Sequence, residues 1–262
     1  TEEELQVPNS GFEEWYEERL HKASGTGGKD IYVFYPYGQS ASSADRWWNT
    51  RNLTTTQKLT STWYYAMYPG TVPTAKQDWM AMNHLNRFDG KSFNLSGYRV
   101  NAMEIATIGW GKNNWSVFGH NADRKTAGVL YIGSYDVNTH TEQYGYAFNS
   151  RPLAVKFYYK FYSYNSEATK AYAEIKDKDG NRIGYGELKI TDTADAYKEG
   201  GISLSYLQLE RAASISIVFL STDAENPATK DIQGSANAFS GYGDPRHIGS
   251  ILTVDEVELI YE

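Results

Sequence analysis

A chain of 262 residues is long enough to bury a large core, and its net charge of −7 argues against phosphate backbones, and so nucleic acid, as partners. The absence of cysteine removes disulfides, thiolate metal sites and cysteine nucleophiles together. Aromatic residues stand out instead: 22 Tyr, 10 Phe and 7 Trp form a set that suits strands and also suits flat ligands that stack on rings.

The opening "TEEELQVPNS" has neither basic nor apolar character, so no signal peptide is read in it; an exported form would have lost its signal or lipid anchor. "FEEWYEER", behind Asn9 or Ser10 as a cap, predicts a short helix. "IYVFYP" (31–36) predicts a strand, "TAKQDWMAMN" a second short helix, and "YRVNAMEIAT" (98–107) and "AGVLYIG" (127–133) two further strands. In "LAVKFYYKFYSY" (153–164), Val155, Phe157, Tyr159 and Phe161 alternate with Lys156, Tyr158 and Lys160. "TKAYAEIKDKDGNRIGYGELKI" reads as two strands joined at Asp179-Gly180-Asn181. "ASISIVFLS" sets Ile215, Ile217 and Phe219 against Ser214 and Ser216. No run approaches the roughly 20 apolar residues of a membrane span.

These patterns predict an all-β chain: two antiparallel sheets packed face to face in one domain spanning residues 1–262. The long connections, 37–60, 69–96, 109–126, 134–150 and 222–248, are rich in Trp, Asn, Gly and Tyr and are expected to be packed and functional. In the closing "SILTVDEVELIYE", Val257 and Leu259 share one face, Glu256 and Glu258 the other, and Asp255 falls on the apolar face. A carboxylate there needs a partner. A calcium ion shared with Glu13 of "NSGFEEW" is one answer. An Arg or Lys, or capped backbone N–H groups, is the other.

Zinc spacing is absent, since His21, His84, His120, His140 and His247 are scattered. Sugars present apolar C–H faces and rings of hydroxyls, so their sites combine flat aromatics with amides, Arg and carboxylates. "ADRWWNTRN" supplies Trp47, Trp48, Asn49, Arg51 and Asn52; "GWGKNNWS" supplies Trp110, Asn113, Asn114 and Trp115; Asn149, Arg151, Arg246 and His247 lie just before strands. Each Trp has a competing role as a plug in the core, and each Arg as a structural partner for carboxylates. Trp47 to Arg51 is the cluster expected to carry recognition. Glycoside hydrolysis needs two carboxyl groups about 5 to 9.5 Å apart. Glu174 and Glu187 flank one hairpin, but cross-strand pairing with Lys176 or Lys189 accounts for them as well.

"NSGFEEW" and "VDEVELIY" are similar to the framing segments of carbohydrate-binding-module-like jelly rolls, many of which hold a structural calcium at the joined termini. "WWNTRN" (47–52), "TAGVLYIGSYD" (126–136), "GYAFNSRPLAVKFYYKF" (145–161) and "RHIGSILTVDEVELIYE" (246–262) together resemble the PCMD family (putative carbohydrate metabolism domain) of Bacteroidetes, over about Asn9 to Glu262. The resemblance implies a jelly-roll sandwich with a sugar-binding pocket on an exported protein, in the periplasm or on the cell surface. The expected function is recognition of an oligo- or polysaccharide without catalysis. A glycoside hydrolase or lyase, and an adhesion or scaffold module, are the alternatives.

Overall fold

The computed structural model describes residues 4–21, 30–57, 65–66, 68–76, 97–116, 119–232 and 246–262. Its strands are β1 (Tyr16–His21), β2 (Asp30–Tyr35), β3 (Trp48–Thr50), β4 (Tyr65–Ala66), β5 (Thr71–Pro73), β6 (Met103–Ser116), β7 (Gly119–Thr126), β8 (Val129–Asp136), β9 (Thr141–Tyr144), β10 (Tyr146–Ala147), β11 (Ala154–Tyr162), β12 (Thr169–Lys176), β13 (Arg182–Ile190), β14 (Ala194–Ser203), β15 (Ser205–Tyr206), β16 (Ser214–Leu220), β17 (Lys230–Ile232) and β18 (Arg246–Ile260). Sheet I runs β15–β13–β12–β16–β8–β3, with β10 joined to β16 and β9 to β8. Sheet II runs β14–β11–β18–β6–β4, with β17 on β18 and β5 and β7 on β6. The pairings that build both sheets are antiparallel, and the chain is an all-β jelly-roll sandwich. Among the described residues, no helix is long and apolar enough to cross a membrane.

Period-two alternation decides which residues enter the core. Val155, Phe157 and Phe161 of β11, Ala171, Ala173 and Ile175 of β12, and Ile215, Ile217 and Phe219 of β16 belong to one buried cluster with Leu252, Val254, Val257 and Leu259 of β18. The residues between them therefore face outward. The turn expected at Asp179-Gly180-Asn181 closes the β12–β13 hairpin: Asp177 Oδ1 accepts the N–H groups of Asp179 and Asn181, both at 2.9 Å, while Gly180 takes φ +82°.

No helix forms over "FEEWYEER": Phe12–Trp15 are irregular and Tyr16–Arg19 belong to β1. Asn9 does not cap a helix; its Nδ2 donates to the carbonyls of Glu14 (2.7 Å) and Pro36 (2.9 Å), and its Oδ1 accepts the Glu14 N–H (3.1 Å). That side chain turns the segment and sends it out extended. Tyr16 then sits opposite Tyr35 on β2, with their rings stacked at 4.6 Å. Of "TAKQDWMAMN", residues 74–76 form a short 3₁₀ turn and the remainder lies outside the described residues. The connection expected over 109–126 is mostly a hairpin, β6 returning as β7.

Asp255 does not share the inner face with Val257. Glu256 adopts φ 51°, and the β11–β18 register shifts there, from Tyr158 opposite Asp255 to Lys156 opposite Glu258. This bulge inserts one residue, so Val254 and Val257 both point inward while Asp255 turns to the outer face. Strict alternation fails at such a point.

Candidate functional site

The four residues expected to lead recognition lie on or beside β3, whose edge pairing with β8 fixes them. Trp48 is 1% exposed and packs against Phe12 and Phe219 (ring centroids 5.2 and 6.1 Å away), while Trp47 stacks on Tyr146 at 4.4 Å and donates its Nε1–H to the Ala44 carbonyl at 2.7 Å. Both indoles are filled on their faces by protein. Asn49 donates to the Gly133 carbonyl at 2.5 Å. Arg51 donates through Nε and Nη2 to the two oxygens of Glu142, at 2.5 and 3.0 Å, and through Nη1 to the Ala127 carbonyl.

The other expected residues are dispersed. Trp110 is buried in a second apolar cluster outside sheet II, its Nε1–H donating to Thr126 Oγ1 at 2.7 Å. Trp115 falls on β6, but its side chain lies outside the described residues, as does that of Arg246. His247 is buried on β18. Arg151 donates to the carbonyls of Glu210 (2.6 Å) and Gln208 (2.9 Å) and lies over the Tyr206 ring, clamping a loop rather than pairing with a carboxylate.

At the termini, Asp255 accepts N–H groups from Arg99 (3.2 Å) and Glu256 (2.8 Å), one on each oxygen. Glu13 accepts from the Asn101 backbone (3.1 Å) and side chain (3.3 Å). Two carboxylates distant in sequence thus hold one segment, 99–101. Calcium requires about six to eight oxygen ligands. Donor hydrogens point at the oxygens that would bind it, and the described residues contain no group of three His, Asp or Glu suited to a metal. In this arrangement the two residues do not fit the ion. Burial pushes the Asp255 carboxyl up to about 6, against the pull of the backbone N–H groups.

A different face brings chemistry together. On the outer side of sheet I, Lys170, Tyr172, Glu174 and Lys176 of β12 alternate with the core residues Ala171, Ala173 and Ile175. Tyr185 of β13 stands opposite Glu174, and Ser216 of β16 stands on its other side. With Tyr144 of β9 and Arg182, these residues line an open groove of about 490 Å³. That volume lies within the ~300–1,000 Å³ of small-ligand sites.

The aromatic components are held in place. The Tyr172 and Tyr185 rings lie 6.2 Å apart, tilted by 35°. Arg182 lies over the Tyr185 ring at 4.1 Å and donates to Glu174, with Nε and Nη2 each 2.5 Å from Oε2. Lys176 reaches the other Glu174 oxygen at 3.2 Å. The phenol of Tyr185 donates to Glu187 (3.0 Å) and that of Tyr144 to Glu142 (2.5 Å). Among the described residues the Tyr172 phenol has no hydrogen-bond partner, and burial raises its ionisation range, so it enters the groove as a neutral donor.

Tyr144 sits at this wall because β9 approaches β8 very closely at Gly133, where a Cβ would come within 2.0 Å of the Gln143 carbonyl. The "WWNTRN" segment thus touches the groove indirectly, through Arg51 to Glu142 to Tyr144. The groove residues were open to sequence reading: the alternation of "TKAYAEIK" places Tyr172 with Glu174 on one face. Sequence reading singles out only Glu174 and Glu187 of that hairpin for chemistry, and Tyr144 arrives by a return of the chain with no strong strand pattern. Of the cross-strand pairings expected for the two glutamates, Glu174 bonds Lys176 along its own strand and Arg182 across the hairpin, whereas Glu187 takes a tyrosine phenol and not Lys189.

A second concavity, on the opposite side, has Tyr98 stacked flat on Tyr158 at 3.9 Å, with Lys156 and Arg99 paired to Glu199 and Glu256. One ring face of each tyrosine is already used by the other.

No family model matches the sequence, and no curated protein does. Among solved structures the chain is similar to a putative glycoside hydrolase from Bacteroides vulgatus, with 15% identity over 95% of this chain and 98% of that one and a TM-score of 0.52. It is also similar to a putative glycoside hydrolase from Bacteroides thetaiotaomicron (16% identity, 96% and 80% covered, TM-score 0.43). A family 11 carbohydrate-binding module from Clostridium thermocellum is a third (12% identity, 94% and 95% covered, TM-score 0.33). The first of these shows a shared fold.

Proposed function

We propose that this protein binds a glycan on the outer face of sheet I, with Tyr144, Tyr172 and Tyr185 as ring platforms and Glu174, Arg182 and Lys176 as hydrogen-bonding groups. The observation that supports it best is the pair of tilted tyrosine rings flanked by charged side chains in an open groove. Aromatic faces meet the C–H faces of a sugar, and fixed donors and acceptors meet its hydroxyls. The shared fold with a protein named as a glycoside hydrolase and the resemblance to the PCMD family point to the same class of ligand. Such a role belongs outside the cytoplasm, in the periplasm or on the outer-membrane surface, where polysaccharide is met.

Recognition without catalysis is favoured over hydrolysis. Both oxygens of Glu174 are engaged by Arg182 and Lys176, and Glu187 is engaged by Tyr185. With both oxygens of Glu174 committed to cations, the pair lacks the second free carboxyl that acid and base roles together require. A glycan array scored for binding, with reducing-end release measured on every glycan bound, tests this reading. Binding without release is expected; release at a rate lost in Glu174→Gln would establish the hydrolase instead.

A further inference from the structure

Two like-charge pairs face each other across the β12–β13 hairpin. Lys176 stands opposite Arg182, and Lys170 stands opposite Lys189. Directly opposed side chains have Cβ atoms about 4.5–5.5 Å apart, and like charges at that spacing repel. The first pair carries its own counterion: Glu174 bridges both cations, at 3.2 Å to Lys176 and 2.5 Å to Arg182. The second has none. Neither Lys170 nor Lys189 forms an ion pair among the described residues, and Glu187, the acid nearest in sequence to Lys189, accepts the Tyr185 phenol instead. Lys170 lines the groove, its Nζ 5.5 Å from the centroid of the Tyr172 ring.

We infer that the groove takes a glycan bearing an anionic group, seated between Lys170 and Lys189 while its ring rests on Tyr172. This deepens the glycan-binding reading and rests on it. The anion would do at this end of the hairpin what Glu174 does at the other, turning a repulsive pair into a bridged one. The chain's net charge of −7 does not prevent this, because at physiological ionic strength the field of distant carboxylates is screened within about 8 Å. A uronic acid carboxylate and a sulfate ester share the required chemistry.

Binding to matched charged and neutral glycans separates the outcomes: oligogalacturonate against its methyl ester, and dextran sulfate against dextran, each titrated at low and high salt beside a panel of neutral plant glycans. The charged member of at least one pair is expected to bind at least roughly tenfold more tightly than its neutral partner, with affinity falling as salt rises. Whichever pair shows this names the source of the charge. Lys170→Ala/Lys189→Ala should remove most of the difference, with the melting temperature unchanged or higher. Equal binding of charged and neutral members, or binding confined to the neutral panel, would overturn the anionic inference and leave the glycan reading standing. Failure to bind any glycan would overturn both.

Discussion

Arg51 grips Glu142 through both carboxylate oxygens, at 2.5 and 3.0 Å, and the second of those oxygens also accepts the phenol of Tyr144 at 2.5 Å. A residue on the edge of the sandwich thereby fixes the wall of a groove it does not enter. Both side chains are mostly buried, so removing one charge strands the other. Arg51→Met is expected to cost about 2–3 kcal/mol of stability, measured by urea unfolding, and to weaken ligand binding beyond what the lost folded fraction explains. Glu142→Gln, which keeps a hydrogen-bonding wall, should cost less on both counts.

The indoles of Trp47 and Trp48 have a structural role to test. Truncating Trp48, which is 1% exposed, creates a large cavity and should cost about 3–5 kcal/mol. The folded fraction of Trp48→Ala should still bind ligand normally. A stable Trp48→Ala that has lost binding would return the site to the "RWWNTRN" segment.

Much of the fold was open to sequence reading because period-two alternation is a local signal: β11, β12 and β13 each show it over at least six residues, and β16 over its first four. It failed where non-local geometry prevails. The bulge at Glu256 reversed the face of Asp255, and Asn9 formed a turn from residues that also suit a helix cap. Tryptophan is as effective at filling a core as at stacking on a sugar, so the abundance of Trp does not mark the site. Arg51 and Asn49 were found for their chemistry, but their partners, Glu142 and Gly133, are more than eighty residues away in sequence. No spacing rule reaches that far.

Asp255 should make stability depend on pH. Its carboxyl titrates at about 6 in the folded protein against an ordinary value of 3.8, so the folded state binds its proton more tightly than the unfolded state does. The resulting stabilisation is complete below about pH 3.8 and is lost as pH rises through about 6, a span worth up to about 3 kcal/mol. Asp255→Asn is expected to flatten the stability profile between pH 4 and 7 relative to the parent. Parallel profiles for the two proteins would mean that Asp255 titrates normally.

Glu104, fully buried with neither oxygen hydrogen-bonded among the described residues, is pushed well above the usual carboxylate range by burial, with Lys160 only partly opposing the shift. The sign is that of Asp255: stability from this group falls as pH rises. Glu104→Gln should therefore raise the melting temperature at alkaline pH more than at pH 5. A uniform drop at all pH values would show that Glu104 is held ionised by Lys160.

The N–H groups that fill the oxygens of Asp255 and Glu13 lead to an expectation for metal removal. Adding a chelator should leave the melting temperature unchanged. A fall of several degrees, reversed by calcium and absent in Asp255→Asn, would show that the termini rearrange around an ion.

Titration calorimetry on Tyr172→Ala and Tyr185→Ala, with a glycan the parent binds, decides whether these two rings form the recognition surface. Both rings are half-buried on the outside of a sheet whose core lies on the other face, so both variants should keep the fold with losses near 1 kcal/mol. Loss of a stacking platform costs on the order of 2 kcal/mol, and Tyr172→Ala should bind roughly thirtyfold more weakly. Normal binding by both folded variants would contradict the account and move the ligand off this face.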